Sequence, residues 1–285
     1  MNTTAKDQGP GERAGRGPAT RRPALERVRV LANDRLTTGI GLVLLEAPLT
    51  AASVSPGQFV HLRIARGADF ILRRPFSVHR APGDRIEILY QVLGRGTRAL
   101  AELERGADMD LIGPLGTGWS IPAGADHALI VAGGLGAAPM GMLVESLAAR
   151  GVAATVALGA PNAERLLARG LFEEHARRVE IATDDGSVGV HGFVTGLVEG
   201  LIADDTPDVV YACGPEAMQR VVAAQAAVAG VPCQVSLERL MACGVGVCLS
   251  CVVSTTAGLK RACVDGPVFD AGEVLWEASE VPPRH

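Results

Sequence analysis

The hydrophobic rhythm of this 285-residue chain changes before its midpoint, and that change limits the folds open to it. From Arg27 the runs VRVLAND, TGIGLVLLEA, QFVHLRIA and IEILYQVLG alternate or stay apolar, broken by Ala47-Pro48 and Ser55-Pro56-Gly57. Strands at this spacing predict a small antiparallel barrel. One helical stretch, Gly96 to Leu103, interrupts it before ADMDLIGPLG, and Pro122-Ala123-Gly124-Ala125 reads as a linker. Beyond the linker, HALIVAGG, VAATVALGA, VEIATDD and VVYACGP read as strands. Helices are expected in APMGMLVESLAARG, from Asn162, and in EAMQRVVAAQAAVAG. Such alternation implies a doubly wound parallel sheet. The expected fold is multi-domain α/β plus β: an antiparallel barrel domain (23–123), a doubly wound nucleotide domain (124–229) and a small cysteine-bearing module (230–285).

The module is defined by Cys243, Cys248, Cys251 and Cys263, set out as C-x4-C-x2-C-x11-C. This is plant-type spacing for four thiolates around a [2Fe–2S] cluster, a carrier of single electrons. Gly244 and Gly246 keep the first loop bare, so backbone N–H groups can approach sulfur. Zinc, disulfides and buried structural thiols are the alternatives. Zinc sites usually add histidines or a second CxxC pair, and no histidine lies between His191 and His285. Disulfides need an oxidising compartment, and the N-terminus does not read as a secretory signal.

A net charge of −4 argues against nucleic acid as the main partner. No apolar run approaches the roughly 20 residues that span a bilayer, so a soluble, cytoplasmic protein is expected. Residues 1–22 are rich in Gly, Pro and Arg and short of large apolar groups, and read as a disordered tail.

Two further sets of residues point to nucleotide cofactors. Arg74, Pro75, Phe76 and Ser77, within RRPFSV, offer a guanidinium for a diphosphate, a ring to stack on a flavin and a hydroxyl for its edge. Gly94-Arg95-Gly96-Thr97 opens the interrupting helix, where free N–H groups favour phosphate. Together they suggest FAD, against the plainer reading of a surface arginine and an ordinary turn. Gly133, Gly134, Gly136 and Pro139, in GGLGAAP, end the first parallel strand and suit a nicotinamide nucleotide's pyrophosphate. Cys213, Gly214 and Pro215 end the fourth, at the sheet edge where such folds bind ligands. Cys213 is assigned to catalysis as a small thiol against the nicotinamide, the alternative being a buried core cysteine, which is how Cys233 is read.

The order LRRPFSV, LYQVLGRGT, DLIGPLGTGW, VAGGLGAAP, ATDDGSVGVHGFVT, CGP and SLERLMACGVGVCLSCVV resembles the ferredoxin–NADP reductase superfamily. Within it the chain is most similar to electron transfer subunits of class 1B dihydroorotate dehydrogenase, from about Val28 to Phe269. Sulfhydrogenase subunits and NADH-dependent ferredoxin:NADP oxidoreductase subunits look similar over the same stretches. Phe76 departs from the superfamily's common Tyr, and the Arg-rich N-terminal extension is outside the usual pattern.

The resemblance implies FAD contacts at Arg74, Pro75, Phe76 and Ser77, at Leu89, Tyr90 and Gln91, and at Gly96 and Thr97. It places the cluster on the four cysteines. It implies NAD rather than NADP, although Arg165, beside Glu164, could meet a 2′-phosphate. It implies an FMN-containing catalytic subunit as partner, two of each subunit forming a heterotetramer in pyrimidine biosynthesis. Electrons would run between dihydroorotate and NAD+ through FMN, cluster and FAD, and this chain alone should not oxidise dihydroorotate. The rival readings are a diaphorase subunit of a hydrogenase or ferredoxin:NADP oxidoreductase complex, and a non-enzymatic, metal-binding redox sensor.

Overall fold

The computed structural model describes residues 23–64 and 70–276. The expected N-terminal tail lies outside them. Six strands form the first lobe: β1 (Ala24–Thr37), β2 (Ile40–Glu46), β3 (Phe59–Arg63), β4 (Arg74–Ser77), β5 (Arg85–Gln91) and β6 (Asp108–Leu115). Short helices α1 (Pro48–Ala51) and α2 (Arg95–Ala101) sit in its connections. Alternate residues of β1 are buried (Glu26, Val28 and Val30), with Val43, Leu45, Val60, Leu62, Ile86, Ile88, Tyr90 and Leu111 completing the barrel core.

The strand order is β4-β3-β6-β1-β2-β5, so β4 and β5 are the two edges of a nearly closed sheet. They meet at one end, where His79 N donates to Glu87 O and Glu87 N to Arg80 O, both at 2.8 Å. Extending the Arg80–Glu87 register sets Ser77 opposite Tyr90 and Phe76 opposite Gln91. No ladder joins β4 to β5 there among the described residues. Two of the flavin segments expected from sequence thus lie on facing, unpaired strand edges.

The second lobe holds β7 (His127–Gly133), α3 (Gly141–Ala149), β8 (Ala153–Ala160), α4 (Arg169–His175), β9 (Arg178–Thr183), β10 (Val190–His191), α5 (Thr195–Asp204), β11 (Val209–Cys213), α6 (Glu216–Val228) and β12 (Cys233–Ser236). After the hairpin of β13 (Val252–Thr255) and β14 (Gly258–Arg261), β15 (Val268–Asp270) closes the sheet. Its order is β10-β9-β8-β7-β11-β12-β15, parallel except for β15. The chain past residue 229 therefore begins in this sheet and returns to it, with the four cysteines in the excursion between β12 and β15.

The local structure differs from expectation at three points. GGLGAAP does not open an α-helix directly. Gly134 takes φ +55°, a 3-10 turn runs from Gly134 to Met140, and α3 starts at Gly141, after Pro139, which has no N–H to donate. The helix expected from Asn162 is a single 3-10 turn, Ala163–Arg165, capped by the Asn162 side chain, and α4 starts only at Arg169. The segment TGLVEGLIAD forms α5, which the sequence reading did not anticipate. Among the described residues no helix is long and apolar enough to cross a membrane.

Candidate functional site: three stations on one barrel

At the flavin edge, the two arginines of RRPFS have different surroundings. Arg73 is committed to an ion pair with Asp110 and bonds the carbonyls of His61 and Asp110. Arg74 turns towards α2: a Cβ on Gly96 would lie 3.1 Å from its Nε. Its Nη1 donates to Leu72 O at 2.6 Å and to Arg73 O at 3.2 Å. The guanidinium is thereby held beside the Gly94–Thr97 turn, so the first and third expected segments meet. The Thr97 hydroxyl is engaged in capping α2, accepting from Leu93 N at 2.8 Å and Gly94 N at 3.1 Å.

In the second segment, Leu89 is buried between the lobes. The Tyr90 side chain points into the barrel and donates to Asn33 Oδ1 at 2.9 Å. At these two positions it is the β5 backbone that lies on the free strand edge. Alternation along the strand sends the Tyr90 side chain inwards. A cofactor with one edge that hydrogen-bonds and a charged diphosphate fits this arrangement of free strand edges beside a glycine-lined guanidinium.

The nicotinamide segments converge. A Cβ on Gly136 would lie 2.1 Å from Cys213 O and 2.6 Å from Gly214 N, and one on Gly133 would meet Met218 Sδ at 2.6 Å and Pro215 Cδ at 3.1 Å. Glycine is required at both positions for the two strand-end loops to touch. Burial pushes the Cys213 thiol up to about 12, so it is a neutral, polarizable group. Cys233 is buried in β12, likewise pushed up to about 12. This lobe is fixed to the barrel by His79, whose Nδ1 lies 2.8 Å from Ala138 O, and by Arg80, whose Nε donates to Glu145 Oε1 at 2.7 Å.

At the cysteines, Gly244 (φ +69°), Gly246 (φ +81°) and Leu249 (φ +58°) take left-handed conformations that curl the loop so that its amides face inwards. The N–H groups of Val245, Val247 and Cys248 point at Cys243 Sγ at 3.4 Å, and that of Gly246 at Cys263 Sγ at 3.1 Å. Among the described residues no three His, Cys, Asp or Glu side chains converge as a single-ion site. The thiols instead meet as pairs, Cys248 with Cys243 and Cys263 with Cys251. Two thiol pairs under inward-facing amides suit a two-iron cluster, whose sulfurs accept hydrogen bonds. Cys251 and Cys263 are buried, whereas Cys248 is exposed.

A family model described as the iron–sulfur cluster binding domain of dihydroorotate dehydrogenase B matches residues 238–275. The dihydroorotate dehydrogenase B (NAD(+)) electron transfer subunit of Desulforamulus reducens is 40% identical over 255 residues, covering 87% of this chain and 97% of that protein. The chain belongs to this family of electron transfer subunits. The corresponding subunit of Geobacillus thermodenitrificans is 39% identical, with 88% and 98% covered. Among solved structures, an NADH-dependent reduced ferredoxin–NADP oxidoreductase aligns at a TM-score of 0.80 and 28% identity, covering 88% of this chain and 90% of that one. A ferredoxin NADP+ reductase from Neisseria gonorrhoeae, solved with FAD and NADP, aligns at 0.58 and 17%, covering 72% and 92%, which shows the shared fold.

Within the family's frame, several contacting residues escaped the sequence reading. His61 on β3 is buried at 1% exposure, and a Cβ on Gly244 would lie 2.5 Å from its Nδ1. Desolvation, then the Arg73 charge, lower its pKa to about 4, so the imidazole is neutral. Trp119, from the quoted GPLGTGW segment, donates from Nε1 to Pro139 O at 3.2 Å and stands edge-on to Tyr211. The sequence signal was a histidine in the apolar run QFVHLRIA for His61 and an aromatic ring in the glycine-rich GPLGTGW for Trp119.

Proposed function

We propose that this subunit carries electrons between a nicotinamide held at GGLGAAP and CGP, FAD held between β4 and β5, and a [2Fe–2S] cluster on Cys243, Cys248, Cys251 and Cys263. From the cluster they pass to or from an FMN-containing catalytic subunit that oxidises dihydroorotate, two copies of each subunit assembling together. One observation carries this reading: the flavin strand β4 lies between the other two stations. Two residues past Ser77, His79 touches the nicotinamide loop at Ala138, while His61, the β3 partner of Pro75, touches the cluster loop at Gly244.

When bound, FAD supplies exchange between a two-electron nicotinamide couple and a one-electron cluster. The chain's own residues supply position. Arg74 offers its charge to the diphosphate, and the edges of β4 and β5 offer N–H and C=O groups to the isoalloxazine. Cys213, as a neutral thiol, fills the space behind the nicotinamide without exchanging a proton. The loop amides stabilise charge on the cluster sulfurs. Around the exposed Cys248, the side chains of Leu240, Val245, Val247 and Leu249 are also exposed, an apolar face suited to a partner subunit.

The test is isolation of the native complex, with analysis of its flavins and iron and an assay of dihydroorotate oxidation by NAD+. NADH formation is expected from the complex and not from this chain alone. Cys248→Ser should keep NADH–dye reductase activity and lose transfer to the partner. Transfer at the unaltered rate in that variant would remove the cluster from the route.

A further inference from the structure

His61 has a burial and a placement that general packing does not explain. It sits on the outer face of β3, opposite Pro75 of the flavin strand on one side and Ile112 of β6 on the other. Phe59, two residues earlier on the same face, joins the apolar core that contains Cys251 and Cys263. Gly244, next to Cys243, has no room for a Cβ because the imidazole occupies that space. One strand face therefore presents Phe59 to the core shared with Cys251 and Cys263, and His61 to the loop that begins at Cys243.

The imidazole is buried away from water, yet neither ring nitrogen completes a hydrogen bond. The carbonyls of Cys243 and Arg73 lie close enough to influence it, but outside good hydrogen-bond geometry. A buried polar ring without partners costs free energy that an aliphatic side chain of similar size would avoid. Its polar atoms abut the chain segment that carries the first cluster ligand.

We infer that His61 is a positioning residue for the cluster: its imidazole holds the Cys243–Gly244 segment against the flavin strand and directs an N–H dipole towards that end of the cluster. This inference rests on the cluster assignment proposed above. A reduced cluster carries an added negative charge, which a nearby donor stabilises, and hydrogen bonding and solvent exposure set such potentials. Removing the donor lowers the potential. Loosening the segment exposes the cluster.

The experiment compares the full-length chain with His61→Leu and His61→Gln, each purified anaerobically with FAD and cluster. The readouts are the cluster midpoint potential by dye-equilibrated titration, cluster bleaching by a chelator, and NADH–dye reductase activity as a control for the flavin site. His61→Leu should lower the potential and bleach several-fold faster with dye reductase activity unchanged, and His61→Gln, which restores an N–H, should return both values towards those of the unaltered protein. Loss of the cluster from His61→Leu with retention in His61→Gln supports the same assignment. An unchanged potential in His61→Leu overturns it, as do equal changes, or equal cluster loss, in both variants, since shape alone would then account for the residue. Absence of a cluster from the unaltered protein would instead sink the cluster assignment, and this inference with it.

Discussion

The Arg239 guanidinium grips the Glu216 carboxylate with two nitrogens, Nη1 to Oε2 at 2.8 Å and Nη2 to Oε1 at 3.2 Å. Glu216 begins α6 directly after Cys213-Gly214-Pro215, and Arg239 lies four residues before Cys243. This pair ties the CGP end of β11 to the arm that carries the four cysteines. Arg239 is buried, so removing its partner leaves a desolvated charge. Glu216→Ala should cost about 3–5 kcal/mol in urea unfolding, and Glu216→Leu combined with Arg239→Met should cost much less. A double variant as unstable as the single would show that the charges themselves hold the arm.

Gly136→Ala tests the contact between the two nicotinamide loops. The added methyl would fall 2.1 Å from Cys213 O, a backbone atom that cannot turn aside as a side chain can. Overpacking of this kind costs about 1–3 kcal/mol. The displaced CGP loop should raise the KM for NADH while bound flavin stays stoichiometric. An unchanged KM would separate these loops from the nicotinamide site.

Arg74→Ala removes a charged donor from beside the Gly94–Thr97 turn, where FAD is proposed to bind. Charged hydrogen bonds contribute about 1.5–3 kcal/mol, which corresponds to roughly 10- to 100-fold weaker FAD binding. Dialysis followed by flavin fluorescence of the released fraction measures this. Full retention would remove Arg74 from the site. Arg73→Ala should act differently, by leaving Asp110 without its ion-pair partner and lowering stability.

Burial raises the Cys213 and Cys233 thiols from an ordinary 9.0 to about 12. A raised folded-state value means stability that is complete below about pH 9 and lost as pH rises through the folded value near 12. Unfolding midpoints should therefore fall across that window, and Cys213→Ala should reduce the fall. Neither thiol should react with iodoacetamide at pH 8 until the chain is unfolded. Rapid alkylation of Cys213 in the native protein would contradict its assignment as a neutral group.

The motifs were legible in the sequence because each is a local solution to a local problem. The cysteine spacing, the RPFS strand, the GGLGAAP turn and the CGP strand end are each compact enough to be read within a short stretch of sequence, and the change of rhythm after Pro122 separates barrel from sheet. What was not legible depends on partners distant in the chain. His61 meets Gly244, His79 meets Ala138 and Glu216 meets Arg239, and no local pattern marks which residue each one meets. Helix α5 was obscured by Gly196 and Gly200, poor helix formers whose segment is nonetheless fixed by burying Val198, Leu201 and Ile202. Tyr90 shows a different limit: it lies on the free-edge strand β5, but strand alternation turns its side chain into the barrel core.

Anaerobic titration of the purified protein with NADH, followed by absorption spectroscopy, reads out whether one chain joins a nicotinamide couple to a one-electron carrier. A flavin band and a broader absorbance at longer wavelength are expected, both bleached by NADH and restored by a one-electron acceptor. A colourless protein carrying zinc, or a flavin that bleaches with no second chromophore, would show that it does not.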